Sequence, residues 1–447
     1  MQRVIGLAVI VTVCLAASVA AVQTPQAADV SPQARAFVEM LEKQQFAAAE
    51  ALFTDQMKAA LPEDKLRATW ATLAMQAGAF KSQRGARVEV VGDMRRAIVT
   101  CDFERAALDI IVAYNPAGLI GGFNVRPYAP PAAPWAPPAY VDPTKYTESD
   151  VIVGGPGWPL PGTLTMPTGA GPFAAVVLVH GSGPNDRDES FGPNKTFKDL
   201  ALGLASRGVA VLRYEKRSKV FGAKMAALPN MTVKDESVDD ALMAVALLRK
   251  TPKVNPARIV VIGHSLGGML IPRIGSADAN IAGLISMAGA TNGLPETIVR
   301  QNRYFAEADG RVTADEQKAI DDAEGLVKAV AALTPADAVS GRMIQGAPAS
   351  YWFDLRGYDP PTSAKSLKQP MLILQGERDY QVTMADDFAK WKAALSGKAG
   401  VTFHTYPALN HLFLPGAGKS LPAEYDVAGH VPVEVITDIA AWIAALR

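Results

Sequence analysis

The chain has 447 residues, nearly half of them apolar, which allows two folded units or one large enzyme domain with an appendage. Basic and acidic residues number 44 each, so the formal net charge is zero. That balance gives no reason to expect a nucleic-acid partner or an anionic membrane surface.

At the N-terminus, Arg3 precedes an apolar run from Val4 to Val13, continued by Cys14–Ala17, and small residues Ser18–Ala21 follow. Charge, apolar core and small residues, in that order, predict a secretory signal over residues 1–21, cut after Ala20 or Ala21, and an exported protein, periplasmic or secreted. The alternative is an uncleaved membrane anchor. Cys14 is a poor lipidation site, because Val11-Thr12-Val13 lacks the small residue such a site needs. After cleavage only Cys101 remains, so no internal disulfide is expected. No Cys/His cluster has zinc spacing, and neither metal nor cofactor is implied. No later segment is apolar and long enough to span a bilayer.

Residues 28–126 read as a small α+β domain. Ser31-Pro32 is a helix start, a capping hydroxyl followed by proline, and Phe37, Met40 and Leu41 then share a face. Leu66, Trp70 and Leu73 mark a second amphipathic helix. Strands are expected at 87–91, 97–103, 107–114 and 118–125. Helices followed by an antiparallel sheet suggest an NTF2-like or cystatin-like fold, on topology alone. Asp102, Glu104 and Asp109 are expected on solvated strand faces. Residues 127–145 open with the proline-rich stretch that runs from Arg126 to Tyr140, and they read as a semi-rigid linker.

From 146 to 447 strand and helix signals alternate. Strands are expected at 174–179, 209–214, 259–262, 281–287, 371–375 and 401–406. A helix runs from Thr196 to Ser206, ended by Gly208. Thr232-Val-Lys-Asp235 has capping-box form and opens a helix carrying Val238, Ala241, Leu242, Val245 and Leu248. The last helix places Val435, Ile439, Trp442 and Leu446 on one face. Repeated β-then-α units predict an α/β fold, a mostly parallel sheet covered by helices on both sides. Residues 291–366 interrupt this rhythm with a helical, charged and then aromatic insertion, expected to cap the strand ends. Tyr351-Trp352-Phe353 either line a pocket there or simply pack.

The strand at 259–262 runs into Gly263-His-Ser-Leu-Gly-Gly268, and a helix pattern with Met269, Leu270 and Ile274 leaves it. Strand, sharp turn, helix is the setting of a nucleophile elbow, which makes Ser265 the candidate nucleophile. Serine needs a general base within reach. Of the five histidines, His264 lies inside the motif and is expected to pack. His180 is placed to shape a loop and His404 is mid-strand. His411 follows a strand, at the same sheet edge as Ser265, and is the candidate base; His430 is the runner-up. Asp379, at the end of the strand at 371–375, is the candidate orienting acid, with Glu377 as the alternative. Ser265, Asp379, His411 is the chain order of α/β-hydrolases. The oxyanion pocket needs two backbone N–H groups. Leu266 supplies one, and Ser182, with Gly181 second, supplies the other.

Several stretches occur together in order: Leu178–Glu189, Gly192–Lys195, Leu212–Arg217, Gly263–Gly268, Gly376–Asp379 and Asn410–Phe413. These resemble the EstD-type bacterial esterases, α/β-hydrolases related to the dienelactone-hydrolase and serine-aminopeptidase groups. The resemblance covers roughly residues 146–447, and some members carry a small N-terminal domain. It implies hydrolysis of small-molecule carboxylic esters by Ser265, Asp379 and His411, with no departure at those positions. Asn185, Asp186, Arg187 and Asp188 also match, either as a network bracing the oxyanion loop or as substrate contacts. Two rival readings stay open. One is a serine peptidase of the prolyl-oligopeptidase group, against which stands the lack of a propeller-like repeat. The other is an envelope-binding protein whose N-terminal domain holds an unidentified protein partner.

Overall fold

A computed structural model describes residues 29–91, 94–128, 135–228, 230–307 and 310–446. The signal expected at 1–21 lies outside the described residues. The chain divides into two compact units, Met1–Pro131 and Ala132–Arg447.

In the first unit, the helix Ser31–Glu42 has proline in its first turn and buries Ala34, Phe37, Val38 and Leu41. Ser31 is not its cap: Val30 precedes the helix as its N-cap with no side-chain cap bond, and the Ser31 N–H donates to the Asp29 carboxylate at 2.9 Å. The helix Glu63–Ala77 contributes buried Leu66 and Trp70 to the same core. Four antiparallel strands follow as a meander, Phe80–Val91, Met94–Phe103, Ala107–Tyr114 and Ile120–Pro127. The first begins seven residues before position 87, through a polar stretch that carries no apolar alternation. Asp109 corrects the expectation of a solvated face. It is fully buried, accepting hydrogen bonds from Thr100 Oγ1 at 2.6 Å and Arg87 Nη2 at 3.0 Å. A carboxylate can be buried when charge and donors meet it there.

The second unit is built on an eight-stranded sheet. In spatial order the strands are Val401–Tyr406, Met371–Gly376, Gly283–Met287, Val254–His264, Phe173–Val179, Val209–Tyr214, Leu160–Pro167 and Tyr146–Val153. The first six are parallel and the last two form an antiparallel hairpin at one edge. The middle strands read as continuous apolar runs, without alternation, because helices cover both faces. Ala175 through Val179 are all buried, as are Ile259 through Ile262. The helix Thr196–Ala205 ends before Gly208, which holds the left-handed φ of 82°. The Thr232–Asp235 box forms, Thr232 N–H donating to Asp235 at 2.9 Å. The final helix Val433–Ala445 buries Val435, Ile436, Ile439 and Ile443.

The described ends of the proline-rich stretch make contacts. Arg126 and Pro127 belong to the last strand of the first unit. Trp135 Nε1 donates to Asp199 at 3.1 Å and Tyr140 donates its hydroxyl to the Val431 carbonyl at 2.7 Å, both within the second unit. Between Met287 and Met371 lies the insertion, with helices Leu294–Ala306, Ala314–Ala331 and Ala349–Leu355 and a short hairpin at 343–348. Among the described residues no helix is long and apolar enough to cross a membrane.

Candidate active site

The strand Val254–His264 ends in a turn so tight that Ser265 adopts φ 53° and ψ −114° before the helix Leu266–Ala277 begins. A residue with a Cβ rarely occupies that region, and it persists only where its surroundings hold it. Here Ser265 N–H donates to the Met287 carbonyl at 2.9 Å, and Met269 N–H donates to the Ser265 carbonyl at 2.9 Å. The glycines of the motif are required by contact. A Cβ on Gly263 would lie 2.2 Å from the Gly267 carbonyl oxygen, and one on Gly267 would lie 2.2 Å from the Val179 oxygen. Gly267→Ala is therefore expected to destabilise the unit by about 3 kcal/mol and to displace Ser265. Chemical denaturation and an ester assay check this; a wild-type midpoint with wild-type activity would contradict it.

Asp379 and His411 are brought together. His411 Nδ1 lies 2.7 Å from Asp379 Oδ2, and both residues are buried. A carboxylate only accepts, so Nδ1 carries the hydrogen and Nε2 is left as the basic nitrogen. Asp379 is itself fixed by Gln375 Nε2 at 3.1 Å and by the N–H groups of Gln381 and Val382 at 2.7 and 2.9 Å. The His411 loop is shaped by Asn410, whose Oδ1 accepts the N–H groups of Leu412 and Leu414, each at 3.1 Å. Glu377 is exposed and receives the Thr405 hydroxyl, so it does not orient His411.

The remaining histidines have other partners. His430 faces Asp199 at 3.1 Å and sits against the Trp135 ring. His404 stacks on Tyr406, 3.5 Å from Asp438. His180 packs between Phe197 and Tyr214, and burial holds its pKa down at about 4, so it stays neutral at physiological pH. His264 is buried and its Nε2–H donates to the His411 carbonyl oxygen at 2.8 Å. Ser265 Oγ has no hydrogen-bond partner among the described residues, so the elbow and the His411 loop are joined through His264.

The loop at Gly181 packs directly on the elbow: a Cβ there would touch Ser265 Cβ at 3.1 Å. Gly181 is corrected as a second oxyanion donor, because its N–H donates to Glu189 Oε1 at 2.7 Å. The N–H groups of Ser182 and Leu266 have no acceptor among the described residues. Asn185 and its neighbours form a brace. Asn185 Nδ2 donates to the Gly181 and Ser182 carbonyls at 3.2 and 3.0 Å, Asp186 Oδ1 accepts from Asp188 and Ser190, Arg187 binds Glu215 at 2.8 Å, and Asp188 binds Lys195 and Arg213.

Two residues went unnoticed in the sequence. Glu189 ends the charged run at 185–189 and turns inward. Lys216 follows the strand Val209–Tyr214, is buried, and donates to the Gly181 carbonyl at 2.7 Å while facing Glu236 at 3.5 Å. The usable signal was charge immediately beyond an apolar strand end, where solvated and site-directed side chains look alike.

Ser265, Ser182 and Leu266 share a cavity of about 580 Å³. The insertion forms part of its wall with Leu294, Ile298, Tyr351 and Trp352. Phe353 instead packs in the insertion's own apolar cluster with Arg356 over its ring. Arg300 fastens the insertion to the acid loop, donating to the Gln381 carbonyl and to the buried Asp387 carboxylate at 2.7 Å each.

Residues 176–434 match the alpha/beta hydrolase family, and residues 34–123 match a family of proteins of unknown function, DUF3887. Esterase EstD of Thermotoga maritima is 38% identical over 407 residues, 91% of this chain and 93% of that protein. Among solved structures, an esterase of Pyrobaculum calidifontis is similar over 67% of this chain and 87% of its own, at 18% identity and a TM-score of 0.43. An esterase of Pyrococcus furiosus is similar over 67% and 91%, at 15% identity and a TM-score of 0.41. A relative of this identity, spanning both units and nearly the whole of each chain, places the protein in the alpha/beta hydrolase family, in the group of esterase EstD.

Proposed function

We propose that this protein is a carboxylesterase acting on small and medium acyl esters through Ser265, His411 and Asp379. His411 Nε2 takes the proton of Ser265 Oγ as the oxygen attacks the ester carbonyl, and the Ser182 and Leu266 N–H groups receive the developing oxyanion. His411 then protonates the departing alcohol, leaving an acyl-enzyme. Water, deprotonated by His411, releases the acid. Asp379 keeps the tautomer and stabilises the imidazolium. The Ser265–His411 hydrogen bond is one that closes when substrate fills the cavity. The observation carrying this reading is the strained Ser265, held at φ 53° on the wall of a mostly apolar cavity. Relatedness to esterase EstD supports the ester rather than the peptide. The signal-like order at residues 1–21 supports action outside the cytoplasm.

A panel of p-nitrophenyl esters of rising acyl length, run beside aminoacyl anilides, tests the substrate class. Short and medium esters are expected to give the highest kcat/KM, with long chains outgrowing the cavity. Preference for the anilides would transfer the protein to the peptidases.

A further inference from the structure

Beside the pair His411–Asp379 lies a second buried histidine–carboxylate pair, His264–Glu189. The two imidazole rings are 4.8 Å apart between centroids. Glu189 Oε1 accepts the Gly181 N–H at 2.7 Å, and its Oε2 is 3.0 Å from His264 Nδ1. On the other side of the ring, Nε2 is 2.8 Å from the His411 carbonyl oxygen. A carbonyl only accepts, so Nε2 carries a hydrogen. Nδ1 and Oε2 approach to ion-pair distance, and neither has another hydrogen-bond partner among the described residues, so an imidazolium against a carboxylate is the state in which both buried atoms are matched. Burial works against charge on His264, but Glu189 and the His411 carbonyl outweigh it and hold its pKa above the ordinary histidine value. Burial likewise pushes Glu189 up, and the His264 charge with the Gly181 N–H brings it below the usual carboxylate value.

One chain of contacts thus joins three separate loops: the oxyanion loop through Gly181, the nucleophile elbow through His264, and the base loop through the His411 backbone. We infer that Glu189 and His264 are positioning residues, an ion pair that locks the oxyanion loop and the base loop onto the elbow and sets the charge beside the base. The inference rests on the Ser265 esterase reading. The other titratable and charged groups around the pair are Asp379 and His411 from the acid and base loops, His180 and Asp186 from the oxyanion loop, and Lys216 beyond the neighbouring strand.

Glu189→Gln and Glu189→Ala separate geometry from charge. In Glu189→Gln the amide oxygen still accepts the Gly181 N–H, and the amide nitrogen donates to a now neutral His264, which keeps its donation to His411. In Glu189→Ala both links are lost. With p-nitrophenyl acetate, and rates expressed per site titrated by a fluorophosphonate, Glu189→Ala is expected to lower kcat about 10- to 100-fold with KM nearly unchanged. Glu189→Gln is expected to recover the plateau rate to within about threefold. Its acid limb of kcat/KM should move to higher pH, because the variant loses both charges of the pair and the imidazolium, whose ring is 4.8 Å from that of His411, is the one in contact with the base. A wild-type kcat in Glu189→Ala overturns the inference, as does an unmoved acid limb in Glu189→Gln. Either result, with Ser265→Ala inactive, leaves the esterase reading standing. Wild-type ester hydrolysis that survives in Ser265→Ala overturns both.

Discussion

Ser265→Ala is expected to fold as the wild type and to lose hydrolysis of p-nitrophenyl acetate by about 10⁵- to 10⁶-fold. The substitution removes one oxygen with no hydrogen-bond partner among the described residues, so no buried group loses a bond. Both residues carry a Cβ, so the strain of φ 53° is the same in each. Circular dichroism and thermal melting should therefore coincide with wild type within a few degrees. What remains, the Ser182 and Leu266 donors and the cavity, can bind ester and polarise its carbonyl but has nothing to attack it with. A mutant retaining turnover would remove Ser265 from the chemistry. A mutant that fails to fold would be answered by Ser265→Cys, which keeps a nucleophile on the same elbow.

The second large effect concerns the base and its acid. Asp379→Asn is expected to lower kcat about 10⁴-fold. An amide nitrogen presented to His411 Nδ1 favours the tautomer with the hydrogen on Nε2, which cannot take the serine proton. Asp379 also receives two backbone N–H groups and Gln375. For that reason the asparagine variant, which still offers an oxygen to some of them, is preferred to alanine. His411→Ala should fall as far as Ser265→Ala. His430→Ala, whose partner is Asp199 on the helix Thr196–Ala205, should change stability and leave the plateau rate within about threefold. Equal losses in the two histidine variants would reopen the assignment of the base.

The parallel sheet was legible because its inner strands are short apolar runs, while Val401–Tyr406 at the edge alternates. The elbow was legible because an apolar strand entered it and a helical pattern left it. Asp379 and His411 could be paired because both follow strands of that sheet. What the sequence did not reveal depends on contacts between distant segments. Glu189 reaches back eight residues to take the Gly181 N–H, and no local pattern distinguishes it from Asp186 or Asp188, which turn to other partners. Asp109 looked solvated from its strand position, but Arg87 and Thr100 across the sheet pair it inside. The strand at 80–91 opens through Lys81–Arg84, charged and polar residues that hide its period. The hairpin Tyr146–Pro167 has an exposed edge and therefore no apolar run to mark it. Tyr351, Trp352 and Phe353 were readable as either pocket-lining or packing, and the sequence could not separate the first two, which line the cavity, from Phe353, because the insertion's packing decides which way each ring points.

The central claim is that Ser265 attacks the substrate. Purified protein should be treated with a fluorophosphonate, digested, and read by mass spectrometry, with hydrolysis followed in parallel. The account predicts one adduct, on the peptide carrying Ser265, rising as ester hydrolysis falls. An active protein that takes no adduct, or takes it on another residue while Ser265 stays unmodified, would contradict it.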